Sequence, residues 1–254
     1  MERKVFYNST DNIKLCGLLS EVNDNKKIVI LCHGLTSHKE SKGFNLVVKR
    51  LQERNVNTFR FDFRGLGEST GDFINMTPSK ELADLKASVD YLINLGYKEM
   101  VLLGTSFGGS IVSLFNYNNH KQIKEIVLWY SVLDYIVFGN ANEALSIESK
   151  MLANKRGYYE ITNSKGKVFK LGKDLYDEVY KLEPYKNIIN LNLPILFVHG
   201  KKDEVVPYEL SVKVSKMCKN SQLELIENGN HSFLSDKNAM DKAIDVTTGF
   251  IEKL

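Results

Sequence analysis

Short apolar runs alternate with amphipathic stretches along most of the 254-residue chain. Strands are predicted to begin near Lys4, Ile13, Lys27, Asn57, Met100, Glu125, Pro194 and Gln222. The last six are short, apolar and separated by helical stretches, the pattern of a parallel sheet covered on both faces. Only Ser9-Thr10-Asp11-Asn12 separates the first two, which predicts an antiparallel opening hairpin. Helices are predicted near residues 43–54, 79–95, 107–118, 208–219 and 237–252. In the second of these, Leu82, Leu85, Val89 and Leu92 recur at helical spacing and form one apolar face. The predicted fold class is α/β, with a mostly parallel eight-stranded sheet and helices on both of its faces.

Between Ser131 and Pro194 the alternation stops. A helical stretch holds Ala144, Leu145, Ile147 and Met151. A hairpin is predicted to pair Tyr158–Thr162 with Lys167–Leu171 through Asn163-Ser164-Lys165-Gly166, and another helix runs near Lys173–Leu182. Residues 1–133 and 187–254 are therefore expected to form the core, with 134–186 a small cap inserted after the sixth strand. Such a cap lies at the carboxyl ends of the strands. Its aromatic side chains, including Tyr135, Phe138, Tyr158, Tyr159, Phe169, Tyr176 and Tyr180, are expected both to pack it onto the body and to line a mainly apolar pocket.

The strongest chemical signal is Gly104-Thr105-Ser106-Phe107-Gly108, which fits the G-x-S-x-G nucleophile elbow. Met100–Leu103 reads as a buried strand before it, and Ser110–Phe115 as the start of a helix after it. That strand-turn-helix setting is what the motif requires. A serine hydroxyl needs a base within hydrogen-bond reach, and the base needs an orienting group. In this arrangement the acid and then the histidine follow the nucleophile. Downstream lie three histidines. His120 ends the helix that begins at the elbow and is expected at the surface. His199 closes an apolar run and is expected to be structural. His231 sits in the turn-rich loop Glu227–Phe233 and is the expected base. Asp203, just past the strand ending at His199, is the expected acid, with Asp134 and the adjacent Glu204 as competitors. Two backbone N–H groups should form an oxyanion hole: Phe107 after the nucleophile, and Leu35 in the loop after the third strand. His33 in that loop is expected to be structural.

Together these residues resemble the small serine esterases of the α/β-hydrolase superfamily, over nearly the whole chain. Asp62-Phe63-Arg64-Gly65-Leu66-Gly67-Glu68-Ser69 looks like the family's D-x-R-G-x-G-x-S turn after the fourth strand, where Arg64 would make a structural ion pair. The stretch from Asp62 to Thr77 resembles the branch of bacterial cinnamoyl and feruloyl esterases and monoglyceride lipase-like enzymes. That branch commonly carries His-Ser-Gln in the elbow, where this chain has Thr105-Ser106-Phe107. The resemblance implies a serine hydrolase that cleaves small to medium acyl or aryl esters through an acyl-enzyme. A thioesterase or small serine peptidase with the same triad is the alternative, and a non-catalytic binding protein on the same fold the remote one.

Composition narrows the partners. The charged fraction of 26% and the 43% apolar content are ordinary, and a net charge of +3 is too small to imply nucleic acid. No apolar run approaches the ~20 residues of a membrane span, and Met1–Tyr7 lacks the apolar core of a signal peptide. Cys16, Cys32 and Cys218 are few, odd in number and scattered, which predicts a reducing, cytoplasmic setting. No histidine-cysteine grouping has metal-ligand spacing. The expected partner is a small-molecule ester, with no metal or organic cofactor, and the chain a monomer or homodimer.

Overall fold

The computed structural model describes residues 2–251. In chain order the core elements are β1 (Glu2–Asn8), β2 (Lys14–Ser20), β3 (Lys27–Cys32), α1 (Lys42–Glu53), β4 (Asn57–Phe61), α2 (Pro78–Asn94), β5 (Glu99–Thr105), α3 (Phe107–Leu114) and β6 (Ile123–Trp129). An inserted segment follows, with α4 (Tyr135–Ala141), α5 (Ile147–Arg156), β7 (Tyr158–Thr162), β8 (Val168–Gly172), α6 (Lys173–Val179) and α7 (Pro184–Ile188). The chain then returns through β9 (Ile195–Gly200), α8 (Tyr208–Met217), β10 (Ser221–Ile226) and α9 (Lys237–Ile251).

All eight strands expected of the main sheet join it, in the order β1-β2-β4-β3-β5-β6-β9-β10. The opening hairpin is antiparallel, β2 pairs antiparallel with β4, and the remaining pairs are parallel. Because strand side chains alternate between faces, Ile28 and Ile30 meet α2 and α3 through Leu85, Val89 and Ile111. Val29 and Leu31 meet α1 and α9 on the other face, through Val47, Val48 and Ala243. This two-sided burial explains why the central strands read as continuous apolar runs. It also brings the carboxyl ends of β3, β5, β6, β9 and β10 to one edge. Cys32 pairs with Gly104, Thr105 with Trp129, and Trp129 with Val198.

Three details depart from the sequence-based expectations. First, the helix expected over 107–118 stops at Leu114. Phe115 is extended, and the Asn116 side chain accepts from the Asn118 amide to start a short 3-10 turn. Second, this folds His120 inward, to 7% exposure, where its ring lies 4.8 Å from that of Phe115 and its Nδ1 is 2.9 Å from the Asn116 carbonyl. It is not a surface residue. Third, the buried face of α2 includes Glu81 and Asp84, while Leu82 is only half-buried. Asp84 is buried because Arg64 forks onto it, at 3.0 and 2.6 Å, while also reaching Asp11 at 2.6 Å. The expected structural role of Arg64 is what these contacts describe.

The inserted segment joins the body through specific contacts. The Tyr135 hydroxyl donates to Ser110 Oγ at 2.7 Å, Asn187 donates to the Ser113 and Phe115 carbonyls, and the Phe169 ring packs edge-on against Phe73. The predicted hairpin forms as β7–β8, its turn stabilised by the Asn163 side chain accepting from the Lys165 and Lys167 amides. Among the described residues no helix is long and apolar enough to cross a membrane.

Glu125 in β6 gives a stability test. Its Oε2 is buried without a hydrogen bond, and burial pushes its carboxyl up to about 7, with Lys27 opposing. An unfolded glutamate ionises near ~4.3. As pH rises above that value, the unfolded chain releases the proton first, so this side chain progressively disfavours folding until about pH 7. Glu125→Gln should therefore raise the urea midpoint at pH 8 and leave it nearly unchanged at pH 4.5. An equal gain at both pH values would contradict this account.

Candidate active site

The turn after β5 is tight. Ser106 takes φ +50°, ψ −122°, a conformation rare for a side-chain-bearing residue. Its N–H donates to the Trp129 carbonyl at 3.0 Å, and its own carbonyl accepts from Val132 at 3.1 Å, so both sides of its peptide are tied to the end of β6. A Cβ on Gly108 would lie 2.3 Å from the His33 carbonyl oxygen, and one on Gly104 2.7 Å from that of Gly108. These are the collisions that the elbow's two glycines avoid. Positive φ recurs around this turn, at Thr36, Tyr130, Ser232 and Phe233. Such clustering of costly backbone conformations marks sites where geometry is held for use.

His231 comes from the loop between β10 and α9. Its Nε2 lies 3.1 Å from Ser106 Oγ, and its Nδ1 lies 2.9 Å from Asp203 Oδ2. The three side chains selected from the sequence thus converge in one hydrogen-bonded relay. Asp203 has no exposed side-chain surface, while His231 keeps 21% of its own. The Val205 and Val206 amides donate to Asp203 Oδ1 at 2.8 and 2.9 Å. Burial opposes ionisation of Asp203, but hydrogen bonds from His199 and His231 and from the Val206 amide outweigh it, holding the carboxyl well below the usual carboxylate range. The competitors lie elsewhere. Asp134 caps α4 by accepting from the Ile136 and Val137 amides, and Glu204 is exposed.

The loop after β3 runs hard against the serine. A Cβ on Gly34 would lie 2.9 Å from Ser106 Cβ. Leu35, whose amide is a candidate oxyanion donor, is the next residue. The other candidate, Phe107, is the first residue of α3, where an N–H has no partner within the helix. Two anchors hold the loop. His33 Nδ1 donates to the Gly34 carbonyl at 2.9 Å, and its Nε2 accepts from the Phe63 amide at 3.1 Å. Burial pushes this imidazole down to about 4, which keeps Nε2 free to accept. At the far end, buried Lys39 donates to Asp62 at 2.7 Å and to Glu68 at 2.8 Å, and its amide also binds Asp62. His33 is structural, as expected.

Three neighbours of the relay were not legible as such in the sequence. The Tyr130 ring packs edge-on against His231, with centroids 4.7 Å apart. Phe233 is fully buried against Trp129 and Tyr130 and fastens the histidine loop to the body. His199, expected to be structural only, reaches Asp203 itself at 3.1 Å. No periodicity or motif signals these contacts: the first two join the end of β6 to the histidine loop, and the third depends on how the loop after β9 turns back.

The expected aromatic wall is sparse. Tyr135, Phe138, Phe169 and Tyr176 are buried as packing. A cavity of about 550 Å³ within the inserted segment has Tyr159 as the one aromatic in its wall, beside Asn140, Asn142, Glu143, Glu148 and Leu152. None of Ser106, Asp203, His231, Leu35 and Phe107 is in its wall, which comes largely from the α4–α5 connection and is mostly polar, while four of the seven expected aromatics are packed in the interior.

An eight-stranded, mostly parallel sheet with a serine elbow at its edge defines an α/β-hydrolase of the serine hydrolase class. Residues 23–170 match the model of the serine aminopeptidase S33 family, and the chain belongs to that family. Residues 104–243 also match the FSH1 serine hydrolase model. Uncharacterized protein YfhR of Salmonella typhimurium is 30% identical over 202 residues, which cover 73% of this chain and 58% of that protein. The bovine mitochondrial palmitoyl-protein thioesterase ABHD10 is 23% identical over 77% of this chain and 63% of its own length. The chain therefore spans less than two thirds of these curated relatives. Among solved structures, Est1E from Butyrivibrio proteoclasticus with ferulic acid bound aligns with a TM-score of 0.84 at 27% identity, over 98% of both chains. Mouse ABHD10, at 19% identity and a TM-score of 0.81 over 99% of both chains, shares the fold.

The low-lying Asp203 carboxyl makes a further stability test. An unfolded aspartate ionises near ~3.9, above the folded value, so its contribution is complete above that pH and is lost as pH falls through the folded value. The gap in urea midpoint between the parent and Asp203→Asn should be widest near pH 6 and should narrow below about pH 4. A gap independent of pH would count against the charge-assisted contacts.

Proposed function

We propose that the chain is a carboxylesterase in which Ser106 is the nucleophile, His231 the general base and acid, and Asp203 the orienting acid. The observation that carries this reading is the relay itself, 3.1 Å from Ser106 Oγ to His231 Nε2 and 2.9 Å from His231 Nδ1 to Asp203 Oδ2. Ser106 Oγ attacks the ester carbonyl carbon as its proton passes to His231 Nε2. The carbonyl oxygen becomes an oxyanion facing the Leu35 and Phe107 amides, where fixed donors stabilise developing charge. Collapse breaks the bond to the leaving alkoxide, which takes the proton from the imidazolium and departs as the alcohol. Water then repeats the sequence on the acyl-enzyme, releasing the acid and restoring Ser106. Asp203 accepts the Nδ1 hydrogen throughout, fixing the tautomer that leaves Nε2 able to receive a proton.

The ferulic acid bound to Est1E supports an acyl or aryl ester as substrate, since that structure aligns over nearly the whole of both chains. A second reading is thioester cleavage by the same residues. The name of the bovine relative, a palmitoyl-protein thioesterase, favours it. We place substrate choice in residues 134–186, acting as a cap.

Ser106→Ala should reduce hydrolysis of nitrophenyl acetate by on the order of 10⁶ in turnover and abolish fluorophosphonate labelling, with circular dichroism unchanged. Retention of more than a few per cent of activity would sink the assignment. Parallel assays with hydroxycinnamate esters, acyl-CoAs and aminoacyl amides separate ester, thioester and peptidase activity. Tyr159→Ala should change the ratio of efficiencies for octanoate and acetate esters by about tenfold or more, the scale of a lost methylene contact in a pocket. A parental ratio in the folded variant would remove the cavity beside Tyr159 from the substrate path.

A further inference from the structure

His199 is the next-to-last residue of β9, its side chain is fully buried, and both ring nitrogens are engaged. Nε2 lies 3.1 Å from Asp203 Oδ2 and 3.1 Å from the Val206 carbonyl. Both neighbours are acceptors, so the ring hydrogen belongs on Nε2. Nδ1 lies 2.8 Å from Ser211 Oγ in α8, whose hydroxyl can turn to donate to it. Both ring nitrogens of His199 are thus satisfied, Nε2 by the β9–α8 loop in front and Nδ1 by α8 behind.

Two imidazoles meet at one oxygen. Asp203 Oδ2 receives the Nδ1 hydrogen of His231 at 2.9 Å and the Nε2 hydrogen of His199 at 3.1 Å. Oδ1 is occupied by the Val205 and Val206 amides. The carboxylate therefore carries four donors, about its full accepting capacity. We propose that His199 is a positioning residue for the candidate triad, fixing the Asp203 carboxylate from behind and sharing its charge with His231. The inference rests on the Ser106–His231–Asp203 reading given above.

Two consequences follow from the loss of this donor. Asp203 Oδ2 loses one of its two donors and is held less firmly, and the aim of His231 Nε2 at Ser106 loosens with it. The charge on Oδ2 also concentrates on His231 and holds the imidazolium proton more tightly, so the base is recovered only at higher pH. The titratable groups around His199 are Asp203 from the β9–α8 loop, His231 through the shared oxygen, and Tyr130 packed on His231 from the end of β6. Burial holds the Tyr130 phenol well above its ordinary value, so it stays neutral in the working range. Packed elements otherwise present Ser211 from α8 and Leu225, the in-register neighbour on β10.

The test compares full-length H199Q and H199N in nitrophenyl acetate hydrolysis from pH 5 to 9, beside S106A. The glutamine amide nitrogen reaches about as far as the imidazole Nε2, whereas the asparagine amide stays on the Ser211 side. H199N should lose about 10- to 100-fold in kcat, the scale of a hydrogen bond to a charged group, with little change in KM. Its acid limb should move up by about half to one pH unit. H199Q should stay within about threefold of the parent in kcat, with an unmoved limb. If H199N does not fold, S211A carries the test. It leaves the ring present but frees its rear nitrogen, and should move the limb in the same direction by a smaller amount. Equal behaviour of H199Q and H199N, or an unmoved limb in S211A where that variant decides, overturns the inference. An active S106A protein overturns the triad reading and this role together. An inactive S106A with equal H199Q and H199N overturns this role alone.

Discussion

The left-handed backbone of Ser106 is the constraint on which the rest of the site depends. A side-chain-bearing residue in such a conformation costs about 1–3 kcal/mol and persists only where its surroundings over-determine it. Here the surroundings are the ends of two neighbouring parallel strands. Thr105 is in register with Trp129, the Ser106 amide donates to the Trp129 carbonyl, and Val132 closes the turn from the far side. The central sheet, buried on both faces, resists any relaxation of that turn. With the backbone pinned, Oγ projects at the edge where the loops after β3, β9 and β10 also arrive. The strained serine and the two-layered core are thus one design: the second makes the first tolerable.

Two buried carboxylates organise the loops around this turn. Asp62 ties the loop after β3 by accepting from the Lys39 amide, the Lys39 ammonium and the Glu68 amide. Asp203 ties the loop after β9 and the histidine loop by accepting from two amides and two imidazoles. Buried charge is a poor source of net stability, since desolvation offsets most of the attraction. What it supplies is direction, because a carboxylate held by three or four fixed donors has one orientation. Two buried histidines, His33 after β3 and His199 at the end of β9, play matching parts by bridging a loop to an adjacent element.

The sequence carried the sheet, its opening hairpin and the β7–β8 hairpin because each is written in local signals: apolar runs, spacing and turn residues. Ser106, Asp203 and His231 were legible because each sits in a turn-rich stretch just past a strand, and chain order constrains the choice. What stayed hidden depends on tertiary partners. The burial of His120 follows from α3 ending at Leu114 and Asn116 starting a new turn after it, a side-chain capping event that helical periodicity cannot foresee. The inward face of α2 includes Asp84 because Arg64, 20 residues away, neutralises it. His199 resembles any strand-end histidine until the fold brings Asp203 and Ser211 to its two nitrogens.

The inserted segment is coupled to the core at a telling place. The Tyr135 hydroxyl donates to Ser110 Oγ, and Ser110 Oγ donates to the Phe107 carbonyl at 2.6 Å. The Tyr135 and Phe107 rings also pack together, 5.6 Å apart. Phe107 is the residue whose amide is proposed to face the oxyanion. The insertion therefore grips the first turn of α3 beside the nucleophile, through a hydrogen-bonded chain two links long. An insertion anchored in this way can vary its outer wall, through residues such as Tyr159, without disturbing the elbow, provided that Tyr135 and Ser110 keep their contact. The seam between the insertion and the body is thus the first turn of α3, where Tyr135, Ser110 and Phe107 meet.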